Sequence, residues 1–165
     1  MTSYLVTGLE SSCTKMVSRL IALNLGIIEK ENDWDGYENI NNEYFSVVHK
    51  SLPHGARWDD FGYINESYAQ KFDVVVISTR DINSIIKSKK ANHQPDLIEI
   101  DRENNIGIQV IKNIINTHNN FFIFSYESAL ILQETYTRLF LSAISVPHIK
   151  DIEFKNINKK YMIED

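Results

Sequence analysis

The sequence predicts an α/β fold: a single domain over residues 1–165, built as a three-layer sandwich around a mostly parallel central sheet of about four to five strands. Three observations carry this expectation. Short apolar runs alternate with segments of helical periodicity along the chain. The run DVVVIS at 73–78 is apolar without alternation, as in a strand covered on both faces. Strands and helices that alternate this way need right-handed crossovers, which lay helices on both faces of a parallel sheet and place ligands at the carboxyl ends of its strands.

Each element has its own signal. Residues 4–7 are the first strand. Residues 14–25 then place Met16, Val17, Leu20, Ile21, Leu23 and Leu25 at helical spacing, with Gly26 as a C-terminal stop. From 29 to 42 the chain is polar, acidic and rich in Asn, with the aromatics Trp34 and Tyr37, and reads as an irregular surface excursion. Residues 44–49 (YFSVVH) form a second strand, ended by the turn-forming KSLPHG at 50–55. A short helix at 65–72 leads into the strand at 73–78. Helices follow at 82–90 and 104–117, parted by the polar turn around Pro95. A fourth strand, FFIFS at 121–125, and a helix at 129–144 that stops before Pro147 complete the pattern.

Bulk composition narrows the function. A net charge of -5 argues against broad nucleic-acid binding, which needs a basic face. One cysteine, Cys13, cannot form an internal disulfide or a multi-thiolate zinc site, which points to a reduced, cytoplasmic setting. No apolar run approaches the roughly 20 residues of a membrane helix, so no membrane span is expected. The cluster Glu31, Asp33 and Asp35 lacks the Gly and distal Glu of a calcium loop, and His93, His118 and His148 show no metal-ligand spacing, so no metal is expected.

The segment after the first strand invites an anion. A loop that runs from a strand into a helix presents backbone N–H groups and the positive end of the helix dipole. Against the nucleotide-loop pattern G-x-x-x-x-G-K-[ST], this chain offers Gly8, four residues, then Cys13, Thr14 and Lys15, so the second Gly is absent and the Lys stands one place late. Ser11, Ser12 and Thr14 either cap the helix or hold a ligand. A second anion candidate follows the strand at 73–78. There Arg80 can fork onto phosphate oxygens, and Ser88, eight residues on, can add its hydroxyl.

These stretches resemble the sulfotransferases that use 3′-phosphoadenosine 5′-phosphosulfate (PAPS). ESSCTK at 10–15 is similar to that family's Ser-Gly-Thr loop for the 5′-phosphosulfate. Arg80 and Ser88 match its Arg and Ser for the 3′-phosphate, and FSYESALILQETYTRLFLSAISVP at 124–147 is similar to its strand, Tyr-Glu pair, Leu-rich helix and Pro. The resemblance implies PAPS as co-substrate, held by Ser11, Ser12, Cys13, Thr14, Lys15, Arg80 and Ser88, with a hydroxyl-bearing acceptor of unknown class as the other substrate. It departs from the family where Glu10 and Ser11 replace a basic residue, where Cys13 replaces Gly, and in lacking a C-terminal Arg-Lys-Gly, for which Lys155, Lys159 and Lys160 are the local charges. VVHKSLPHG at 47–55 resembles the family's Lys-Thr-His-Leu-Pro, but alignment on Leu52 and Pro53 puts Ser51 at the His. His49 or His54 is then the expected base, and Lys50 the charge on the leaving phosphate. Two rival expectations stand beside this one: a phosphate-loop nucleotide kinase, and a non-catalytic binding module on the sulfotransferase fold. The sequence does not set the oligomeric state.

Overall fold

The strand and helix signals resolve, in a computed structural model that describes residues 1–35, 39–52, 64–93 and 96–155, into one five-stranded sheet. In chain order the elements are β1 (Thr2–Leu9), α1 (Thr14–Asn24), a 3-10 turn (Glu31–Asp33), β2 (Asn39–Asn41), β3 (Phe45–Leu52), α2 (Glu66–Ala69), β4 (Val74–Thr79), α3 (Ile82–His93), α4 (Leu97–Thr117), β5 (Phe121–Ser125) and α5 (Tyr126–Ala143). The strand order is β2-β3-β1-β4-β5. β3, β1, β4 and β5 run parallel, and only β2 is antiparallel, at the β3 edge. The expected class, a mostly parallel sheet between helices, is therefore present.

Alternation along the strands builds two cores. Tyr4, Val6, Val47, Val74, Val76 and Phe124 face one side, where they pack with Val17, Leu20 and Ile21 of α1 and Phe140 and Leu141 of α5. Leu5, Val48, Leu52, Val75 and Ile77 face the other, where Ile114 of α4 and Ala69 of α2 cover them. With both faces covered, β4 can be apolar throughout, as DVVVIS signalled. Among the described residues no helix is long and apolar enough to cross a membrane.

Several boundaries differ from expectation, four of them for a clear local reason. β3 runs on through Lys50, Ser51 and Leu52, because β1 continues beside it and pairs Thr7, Gly8 and Leu9 with those three residues. The stretch expected to be irregular holds β2, turned into β3 by the Asn42 side chain, whose Oδ1 accepts from the N–H groups of Tyr44 and Phe45 at 3.0 and 2.9 Å. Its Trp34 is not at the surface but in the α1 core, where its carbonyl accepts from Arg19 Nε at 2.7 Å. α4 and α5 start earlier than expected because Asp96 and Ser125 cap them, accepting from Glu99 N at 2.7 Å and Ser128 N at 3.1 Å. α5 also kinks at Gln133 (φ 43, ψ -125), whose side chain donates to the carbonyls of Leu130 and Phe154. Tyr37, Pro95 and the 53–55 end of the KSLPHG turn lie outside the described residues.

Candidate functional site

The parallel strands bring their carboxyl ends to one rim, and the loop Glu10–Cys13 sits there over the centre of the sheet. Its shape depends on Gly8, at φ +155. A Cβ on this residue would stand 2.3 Å from the Ser78 carbonyl oxygen of β4 and 2.6 Å from Ser12 Oγ. Beyond it, Ser12 N–H donates to Leu9 O at 3.0 Å and Glu10 N–H to Leu52 O at 2.9 Å, which folds the loop back on β1 and β3. Ser11 (φ 70) and Cys13 (φ 69) are both left-handed, a conformation that costs a non-glycine residue about 1–2 kcal/mol.

β4 fixes this conformation from below. Ser78 Oγ donates to the carbonyl of Ser12, and Arg80 Nη1 donates to the carbonyl of Ser11 at 2.9 Å. A trans peptide points its N–H opposite to its C=O. Holding the Ser12 carbonyl against β4 therefore turns the Cys13 N–H away from β4, in a backbone concavity of the kind that binds anions. Cys13 is the N-cap of α1, and no side chain caps that helix. Capping therefore does not account for Ser11, Ser12 and Thr14. The Ser12 hydroxyl is fully buried in the loop and finds no hydrogen-bond partner among the described residues; the Thr7 hydroxyl, likewise buried and unpartnered among them, lies on the opposite face of the sheet by strand alternation.

The guanidinium of Arg80, largely buried, lies 5.2 Å from the centre of the Tyr126 ring and so is held between that ring and the loop. Burial pushes the Cys13 thiol up to about 11, with Arg80 pulling it back and the Glu127 carboxylate adding to the rise. Glu127 Oε1 also accepts from Asp81 N–H at 2.8 Å, tying the end of β4 to the start of α5. Beside this junction a cleft is lined by Glu127, Leu130, Ile131, Gln133, Phe154 and Lys155.

The sequence-expected residues divide into those the fold brings together and those it does not. Ser11, Ser12, Cys13, Thr14 and Lys15 share the loop or the first turn of α1, and Arg80 reaches the loop from the end of β4. His49 joins them: its Nε2 is 2.8 Å from Thr14 Oγ1, and the ring is 5% exposed, inside β3 rather than at its end. Lys50, the next residue, is on the opposite face of the sheet by strand alternation, toward α4. Ser88 is buried on α3, where its Oγ accepts from Asn92 Nδ2 at 3.3 Å. α3 starts at Ile82, so Ser88 is about 9 Å along its axis from that end. His54, Lys159 and Lys160 lie outside the described residues.

Ser78 and Tyr126 also pack at the loop; Tyr126 stood in the sequence as the Tyr of the Tyr-Glu pair, and Ser78 carried no signal beyond a hydroxyl that closes an otherwise apolar strand. The structure also gathers Glu134, His148 and Asp151, whose ligand-type atoms lie within 4.8 Å of one another. Asp151 Oδ1 meets His148 Nε2 and accepts from Thr137 Oγ1, each at 2.9 Å, which binds the segment after α5 to that helix. No family model and no curated protein matches the chain.

Proposed function

We propose that the protein is a PAPS-dependent sulfotransferase. The observation that carries the reading is Arg80: from the end of β4 it turns back onto the loop after β1, so a phosphate-binding cation and an anion-accepting loop adjoin on one rim. Ser12, with a buried hydroxyl that finds no partner among the described residues, and Gly8, which lets the loop pack directly on β4, support a built loop there. In this reading Ser11, Ser12, Cys13, Thr14 and Lys15 hold the 5′ end of the donor, Arg80 holds its 3′-phosphate, Ser88, buried on α3, does not reach it, and the mixed polar and apolar cleft at Glu127, Leu130, Gln133 and Phe154 takes its base.

Transfer breaks the bond between sulfur and the bridging oxygen of the 5′-phosphate as the acceptor oxygen attacks sulfur. The acceptor's proton must leave at the same time. The hydrogen bond between Thr14 and His49 provides the route: Thr14 Oγ1 takes the acceptor proton as its own passes to His49 Nε2. Lys15, in the first turn of α1, and the helix dipole offset the charge that develops on the departing phosphate.

One observation favours a second reading, a non-catalytic binding module. Cys13 holds a left-handed position suited to Gly, so the loop carries a side chain where the resembled family's loop has none. Thermal stabilisation by 3′-phosphoadenosine 5′-phosphate (PAP), PAPS, ATP with magnesium, and buffer alone separates the readings. The sulfotransferase reading expects a shift with PAP and PAPS that Arg80→Ala abolishes, together with transfer of labelled sulfate to a hydroxyl panel that His49→Ala abolishes. Nucleotide binding without any transfer supports the module. A shift with magnesium-ATP alone refutes both in favour of a kinase.

A further inference from the structure

α3, which leads directly from Arg80 and Asp81, buries three of its described residues on the face it turns to the body of the protein: Ile85, Ser88 and Lys89. Its seat is thus mostly polar. Lys89 is 1% exposed, and its Nζ donates to Glu103 Oε2 at 3.0 Å and to Asn104 Oδ1 at 3.0 Å, both on α4 and both buried. Apolar contact is non-directional and would let two helices slide or rotate. An ammonium held between a carboxylate and an amide is directional, and fixes α3 on α4 in one register. Such a pair is weak as a source of stability, since desolvation offsets most of its attraction, and fixing a unique arrangement is the role left to it.

α4 is itself registered on the root of the anion loop. One turn past Glu103 and Asn104, Gly107 lies so close to the carboxyl ends of β1 and β3 that a Cβ there would stand 2.6 Å from Leu9 Cδ2 and 3.5 Å from Leu52 Cβ. We infer that the Lys89–Glu103–Asn104 cluster is the lock that sets α3, and through it Arg80, against the anion loop. Lys89 is therefore a positioning residue. Its effect on α3 stands independently, and its effect on ligand affinity rests on the nucleotide reading above.

The test is the full-length triple variant Lys89→Met/Glu103→Leu/Asn104→Leu, which replaces the cluster with apolar groups of similar size. Its Tm is expected within a few degrees of wild type, while amides of residues 82–93 exchange hydrogen at least tenfold faster and the Kd for PAP rises at least tenfold. Should the triple variant not fold, Glu103→Gln, which keeps the shape and an acceptor but removes the charge, is expected to speed exchange in α3 at least threefold with a smaller loss of affinity. Unchanged exchange in α3 overturns the lock, and faster exchange with unchanged Kd overturns its role in placing Arg80. If the wild type does not bind PAP, the nucleotide reading fails and exchange alone judges the lock.

Discussion

Replacing Gly8 with Ala is expected to damage the site with little other chemical change. The new Cβ would meet a backbone carbonyl, Ser78 O, at 2.3 Å, where separations under 3.0 Å do not occur, and Ser12 Oγ at 2.6 Å. The hydroxyl can rotate away, but the carbonyl cannot, because β1 and β4 are paired up to Thr7 and Ile77. Relief therefore requires several tenths of an ångström of movement between the two strands or in the loop. Overpacking of this kind costs about 1–3 kcal/mol, and the φ of +155 adds about 1 kcal/mol or more for a residue with a side chain. A loss of about 3 kcal/mol lowers Tm by roughly 6–12 °C in a chain of this length. Calorimetry or circular dichroism measures the loss, and PAP titration of the folded variant measures the site, with binding expected to disappear. An alanine variant with wild-type Tm and wild-type PAP affinity would refute the close approach of loop and β4.

Two pH profiles follow from the structure. The Asp73 carboxyl lies below its ordinary 3.8 because its Oδ2 accepts first from Ser3 N–H and then from Ser3 Oγ, joining the starts of β1 and β4. A depressed carboxyl stabilises the fold above its unfolded value, so the Tm gap between wild type and Asp73→Asn is expected in full at pH 7 and to close as pH falls below about 4. A gap independent of pH contradicts this. Cys13 has the opposite sign: the folded state favours the neutral thiol, so its contribution is intact below pH 9 and is lost as pH rises toward about 11. Wild type is expected to lose Tm relative to Cys13→Ser across that window, and iodoacetamide is expected to label the native thiol far more slowly than the unfolded one at pH 8. Rapid labelling of the native protein at pH 8 contradicts the raised thiol.

Much of the fold was legible because hydrophobic burial writes itself into periodicity. The apolar run at 73–78 announced a covered strand, and the spacing from Met16 to Leu25 announced α1. What escaped was decided by backbone pairing rather than by side-chain type. Lys50, Ser51 and Leu52 read as a turn but are strand because β1 runs beside them, and β2 is three residues long with Asn at both ends. In the site, the loop and Arg80 were legible as residue types, and their juxtaposition was not, since it needs β4 to lie next to β1. The left-handed Cys13 occupies a position where the sequence patterns expect Gly, and nothing in the sequence announced the left-handed Ser11. Lys89 was hidden for a related reason: KSKK at 87–90 reads as a solvated helix face, and only the packing of α3 on α4 buries its third residue.

The central claim is that one rim holds a nucleotide by charges at both ends of its ribose. Calorimetric titration with PAP and with adenosine 5′-phosphate, which differ only in the 3′-phosphate, tests it most directly. The account predicts saturable binding of PAP at least tenfold tighter than adenosine 5′-phosphate, with Arg80→Ala erasing the difference. Equal affinity for the two in the wild type, or no binding of either, would contradict it.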